Sequence, residues 1–160
     1  METRNNYDFA LGRKIEQIFT ESELYLDGKY NENYPLEKTS VMRLDKTLYI
    51  LLDNGEMLSL YSTSLSIADK HTKQRLLSRE FKADTNAQIA FNMLCGHIIT
   101  DVQEWYENKY EIDEDSAECF DGLGRLRDFD KPTDLVIILD NGLRLICYSS
   151  WDYFDIEIVE

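Results

Sequence analysis

The sequence predicts an α+β fold that is mostly antiparallel sheet, arranged as a tandem repeat of two β-rich units. Two observations carry this expectation. The segment Leu48-Tyr-Ile-Leu-Leu-Asp-Asn-Gly-Glu-Met-Leu-Ser-Leu-Tyr-Ser62 returns 87 positions later as Leu135-Val-Ile-Ile-Leu-Asp-Asn-Gly-Leu-Arg-Leu-Ile-Cys-Tyr-Ser149, with nine identities in fifteen positions. Leu11-Gly12-Arg-Lys-Ile15-Glu-Gln-Ile18 returns 84 positions later as Cys95-Gly96-His-Ile-Ile99-Thr-Asp-Val102. Two matches in the same order point to duplication rather than to shared hairpin chemistry alone. The expected units are 1–83 and 84–160, packed together as one globular domain. Each reads as a short helix, a strand, a variable loop, an Asn-Gly hairpin and a further strand.

The elements follow in order. Asn6 to Leu11 reads as a short helix ended by Gly12, and the next strand runs through Ile15 and Ile18. Leu48, Ile50 and Leu52 share one face before Asn54-Gly55, and Leu58 and Leu60 alternate after it. Asn-Gly is the preferred pair for a type I′ turn, in which both central residues take positive φ. Ala68 to Ser78 is a further helix candidate. Asp84 to Leu94 opens on capping residues and carries Ala87, Ala90, Phe91 and Leu94 at helical spacing; Gly96 ends it. In the second hairpin Leu135 to Leu139 and Leu143 to Cys147 are apolar on both faces, which suits central strands. Phe154, Ile156 and Ile158 alternate with Asp155 and Glu157, which are expected to face solvent.

At 160 residues and 43% hydrophobic, the chain is long enough to bury its own core. The N-terminus has no basic stretch followed by an apolar one, so no secretory signal is expected. The longest apolar run, Leu135 to Leu139, is too short to cross a bilayer. Cys95, Cys119 and Cys147 are odd in number and lack metal-ligand spacing; Cys95 and Cys147 read as core residues, and a cytoplasmic location is expected.

The formal charge is −14. It argues against binding nucleic acid or a membrane surface by bulk electrostatics. The charge is uneven: residues 1–83 hold 13 acids and 12 bases, residues 84–160 hold 18 acids and 5 bases. The density peaks between Asp101 and Asp121, at Asp101, Glu104, Glu107, Glu111, Asp113, Glu114, Asp115, Glu118 and Asp121, against the single base Lys109. Trp105, Tyr106, Tyr110 and Phe120 are interleaved, and Trp151 and Asp152 follow the second hairpin. Acid beside aromatics is the composition of a surface that docks a basic protein, since charge steers the encounter and rings fill the contact. A solvated acidic loop has the same composition, and both readings stand at this point.

No nucleophile, metal or nucleotide motif is present. His71 and His97 have no Cys or His partner at ligand spacing, and His97 opens a predicted strand, where a histidine is usually structural. Asp113-Glu-Asp115 opens like a calcium loop, but Glu118 stands where the sharp turn needs glycine. No cofactor or catalytic residue is assigned. A small-ligand or enzymatic site between the repeats, near His97 and Tyr148, is the remaining alternative.

Gly96 to Val102, the acidic stretch, Leu135 to Leu145 and the closing Asp155 to Ile158 together resemble the small bacterial immunity proteins of polymorphic toxin and contact-dependent growth inhibition systems. A second copy of the pattern covers Gly12 to Ile18 and Leu48 to Leu58. The resemblance implies a cytoplasmic, non-enzymatic protein that binds and blocks a cognate toxin domain, often a nuclease with a basic cleft. It transfers no binding residue by position. A phage-type nuclease inhibitor acting by nucleic-acid mimicry would present a similar surface.

Overall fold

The computed structural model describes residues 5–20, 25–26, 29–30, 41–78, 91–106, 132–150 and 153–159. These form two antiparallel sheets and one short helix. The four-stranded sheet has the order β1 (Ile15–Thr20), β5 (Leu48–Leu52), β6 (Met57–Tyr61), β7 (Ser64–Ile67). The seven-stranded sheet has the order β3 (Lys29–Tyr30), β2 (Tyr25–Leu26), β4 (Val41–Leu44), β11 (Tyr153–Val159), β10 (Arg144–Ser150), β9 (Asp134–Leu139), β8 (Ile99–Trp105).

The sheets meet where β1 and β8 begin. Lys14 and Ile98 form an antiparallel bridge. Around it the hydrogen bonds are reciprocal: Gly12 N–H donates to the Ile99 carbonyl at 2.8 Å and Gly96 N–H to the Ile15 carbonyl at 2.7 Å. Ile15 N–H donates to the His97 carbonyl and Ile99 N–H to the Arg13 carbonyl, both at 2.9 Å. Asp53 N–H reaches the Lys14 carbonyl as Asp140 N–H reaches that of Ile98, again at 2.9 Å.

The strand registers match as well. Ile15 pairs with Leu52 and Thr20 with Leu48, with a bulge between Ile15 and Gln17. Ile99 pairs with Leu139 and Glu104 with Leu135, with a bulge between Ile99 and Asp101. Ile50 opposes Leu58 as Ile137 opposes Leu145. Positions 84 apart in the first strand of each half, and 87 apart in the hairpins, therefore occupy the same place in the ladder.

Both hairpin turns differ from the expected type I′. Gly55 and Gly142 have φ of +86° and +85°, but neither Asn54 nor Asn141 has positive φ. Gly55 N–H donates to the Leu52 carbonyl and Leu52 N–H to that of Glu56; Gly142, Leu139 and Leu143 repeat the pattern. This is a type I turn followed by a left-handed glycine, the three-residue hairpin loop. Asn54 Oδ1 accepts from Glu56 N–H and Asn141 Oδ1 from Leu143 N–H, each at 3.1 Å. The asparagine thus serves through its side chain rather than through a left-handed backbone.

One helix is described, α1 (Lys70–Leu77), capped by Asp69, whose side chain accepts from Thr72 N–H at 2.7 Å. It lies within the helix candidate Ala68 to Ser78. Asn6 to Leu11 forms turns instead of a helix, with Ala10 N–H bonding back to the Tyr7 carbonyl. Six residues supply too few hydrogen bonds to offset helix nucleation. Of the helix expected at Asp84 to Leu94, residues 84–90 lie outside the described residues; Phe91 is helical, and turns lead into Gly96 at φ +85°.

The main core cluster draws on both halves, from Ile15, Ile18, Leu48 and Ile50 to Ile99, Val102, Leu135 and Ile137. β9 and β10 are central in their sheet, as their two-faced apolar pattern requires. Asp155 corrects the expectation of a solvent-facing acidic side of the last strand: it is buried, while Glu157, two residues on and on the same face, is half-buried. A smaller cluster, Phe19, Met57 and Leu76, seats α1 on the opposite face of the four-stranded sheet, with Tyr49 and Leu51 packed against it. No helix among the described residues is long and apolar enough to cross a membrane.

Candidate partner-binding surface

The expected docking surface begins on β8. Asp101 sits at the bulge and is half-buried; its carboxylate accepts from Val102 N–H and from Gln103 Nε2, both at 2.9 Å. Trp105 is half-buried at the end of the strand, and its carbonyl accepts from Thr133 N–H at 2.7 Å and from the Thr133 hydroxyl at 3.1 Å. Its indole Nε1 is buried with no hydrogen-bond partner among the described residues.

Glu104, expected on that surface, is instead fully buried. Its Oε1 accepts from Asn5 Nδ2 at 2.7 Å and from the Tyr7 hydroxyl at 2.5 Å, while the Tyr106 hydroxyl donates to Oε2. Alternation along the strand turns Val102 and Glu104 to the same inner face, and the N-terminal turn closes over the carboxylate. A buried carboxylate requires donors of this kind, since burial without them costs several kcal/mol on the order of the ion's desolvation. Burial raises the Tyr7 hydroxyl above its ordinary pKa of 10.0, with the hydrogen bond to Glu104 and its charge adding to the effect. A carboxylate closed off from solvent does not exchange protons with a substrate. What it can do is fix one place: it ties residues 5–7 to the end of β8, from which the chain continues into the acidic stretch.

The matched positions make Glu104 informative. Thr20 stands where Glu104 does and is also fully buried, and Phe91 stands where Tyr7 does. One half is polar at both positions of the pair and the other has a hydroxyl and a plain ring. The sequence holds this signal in the 84-residue offset, yet charge counting alone assigns Glu104 to the surface and passes over Asn5 and Tyr7.

Of the other residues expected to bind a partner, Glu107, Glu111, Asp113, Glu114, Asp115, Glu118, Asp121, Trp151 and Asp152 lie outside the described residues. Cys119 does too. Cys147 is fully buried and Cys95 half-buried, and burial raises both thiol pKa values.

His97 joins β8 to the second hairpin turn. Its Nδ1 lies 3.0 Å from Asp140 Oδ1 and its Nε2 lies 3.3 Å from Asn141 Nδ2. A neutral ring protonated at Nδ1 satisfies both contacts, donating to Asp140 and accepting from Asn141. This is a clamp between strand and turn. Among the described residues no group of three or more His, Cys, Asp or Glu is placed to hold a metal ion. No family model matches the chain, and no curated protein or solved structure shows a significant match to it.

Proposed function

We propose that this chain is an immunity-type protein that binds and neutralises a basic, nuclease-type bacterial toxin through an acidic, aromatic-bearing surface. It acts by occupying the toxin and not by catalysis. The observation that carries the reading is an asymmetry between two closely matched halves. Both halves use the same registers, bulges and glycine turns. The second half nevertheless holds 18 of the 31 acids against 5 of the 17 bases. A charge that only served the fold would be needed in both halves, so its restriction to one supports a separate role there.

The matching also supports an origin by tandem duplication. The reciprocal bonds at Lys14 and Ile98 have the form of a two-fold contact between two copies of one unit. In this reading one copy keeps a mixed surface while the other carries the acid. Its partner surface comprises Asp101 and Trp105 together with Glu107, Glu111, Asp113 to Asp115, Glu118, Asp121, Trp151 and Asp152, with Glu104 holding the root of the segment from inside.

The test is a calorimetric titration against the protein encoded by the neighbouring reading frame, at about 50 and about 300 mM salt. Steered acid–base recognition predicts fast association at low salt and a steep loss of affinity at high salt. A tight complex indifferent to salt would overturn the charge-based interface.

A further inference from the structure

β7 follows β6 in the four-stranded sheet as β11 follows β10 in the seven-stranded one, and Leu60 opposes Leu65 as Cys147 opposes Ile156. The outer edges of these two matched strands differ. β11 receives β4 from the first half as an antiparallel neighbour, with Leu44 opposite Phe154 and Met42 opposite Ile156. No strand among the described residues pairs with the outer edge of β7. The positions matching Val41–Leu44, 87 residues on, are Asp128, Phe129, Asp130 and Lys131, with three charges where β4 has Arg43 alone. The second half thus does not repeat the strand composition that the first half lends to β11.

The edge is open and bare. Ser64, Ser66 and Ile67 are exposed, and Ile67 keeps 48% of its surface in solvent. β7 carries no charge, no proline and no bulge, devices that commonly stop an edge from pairing with another chain. The register also fixes which backbone groups point outward. Tyr61 and Ser64 close a two-residue turn, so they form a hydrogen-bonded pair, and the pairs alternate from there. Ser66 therefore bonds to Ser59, and Ala68 N–H continues the series to the Met57 carbonyl at 2.8 Å. The N–H and carbonyl groups of Leu65 and Ile67, between these pairs, face away from β6.

We infer that β7 is a self-association edge, where a second copy of this chain adds its own β7 antiparallel and joins the two four-stranded sheets into one. The two-fold axis passes between the two Ser66 residues. Leu65 of each copy then exchanges backbone hydrogen bonds with Ile67 of the other, which uses every outward group of the strand and closes the assembly as a dimer. On the core side each exposed Ile67 is covered by Leu65 of the second copy, and on the other side Ser66 meets Ser66. Charge favours a second copy at this place: the strand is uncharged, and it lies in the half with 13 acids and 12 bases, whereas the other half holds 18 acids and 5 bases. The contact is small against the roughly 1,200 Å² of a stable complex, so the dimer is weak. It is independent of the acidic docking surface.

Sedimentation equilibrium of the full chain, from about 10 μM to about 2 mM, tests the inference. A monomer–dimer equilibrium is expected with a Kd of about 0.5 mM, tighter at about 300 mM salt than at about 50 mM because two copies of charge −14 repel. That salt response is opposite in sign to the one expected for the acidic surface with a basic partner. Ser66→Lys and Ser66→Glu each place like charges directly opposite one another across the axis and are expected to weaken the dimer at least about fivefold. Because Ser66 is exposed, thermal melting is expected to stay as in the parent. An equimolar mixture of the two variants pairs lysine with glutamate and is expected to restore the dimer, which a purely structural effect of either change would not do. The inference is overturned if the parent stays monomeric throughout, if both variants dimerise as the parent does, or if the mixture dimerises no better than either variant alone.

Discussion

Glu104 shows how one buried side chain can tie the N-terminal turn to the end of a distant strand. It is buried, and donors from Asn5, Tyr7 and Tyr106 converge on it. Glu104→Ala leaves these donors without their acceptor and is expected to cost about 3–5 kcal/mol in chemical denaturation. The matched pair Thr20 and Phe91 suggests a milder route. Tyr7→Phe and Glu104→Thr together are expected to destabilise less than the sum of the two single changes, by about 1–3 kcal/mol of coupling. Additive effects would show that the hydroxyl and the carboxylate do not act as a unit. Tyr7 also has a pH signature. Its pKa is raised in the folded chain, so its contribution is complete below pH 10 and falls as pH rises toward the folded value. There the unfolded chain releases the proton while the native chain keeps it. Stability measured between about pH 9 and 11 is therefore expected to fall more steeply for the parent than for Tyr7→Phe. An equal slope would remove Tyr7 as a linked group.

The elements were legible in the sequence to the extent that they repeat local chemistry. The hairpins followed from alternation and Asn-Gly, and both lie where that pattern places them. Their turn type was not legible, because Asn-Gly fits either a type I′ turn or a type I turn closed by a left-handed glycine, and the choice is made by the ladder bonds at Leu52 and Leu139. The glycines remain necessary in both cases. Gly55→Ala and Gly142→Ala are each expected to cost about 1–2 kcal/mol in thermal or urea unfolding, alike in the two hairpins because the φ values are alike. A neutral result at either would mean that its turn has an alternative form. Asn6 to Leu11 carried helical residues but too few of them, and the segment is tied down by Glu104, 97 residues beyond Tyr7. The burial of Asp155 beside a half-buried Glu157 was not legible either, because strict alternation reads alike for both.

At the scale of the molecule, the two halves share a core and a junction and differ in charge. The junction is built of backbone bonds in reciprocal pairs, so it tolerates side-chain divergence on either side. That freedom allows one half to gather acid from Asp101 onward while the other keeps a mixed charge. Charge density in the sequence marks the candidate stretch but misplaces Glu104, whose support from Asn5, Tyr7 and Tyr106 needed the strand register to become visible. The central claim is that the acid of the second half is a docking surface. Its most direct measurement compares the affinity of the parent for the protein encoded by the neighbouring reading frame with that of a variant carrying Glu111→Gln, Asp113→Asn, Glu114→Gln and Asp115→Asn, each at low and high salt. The expected result is a loss of at least about tenfold in affinity for the variant at low salt, with a shallower salt dependence than the parent. Equal affinity for parent and variant at both salt concentrations would contradict it.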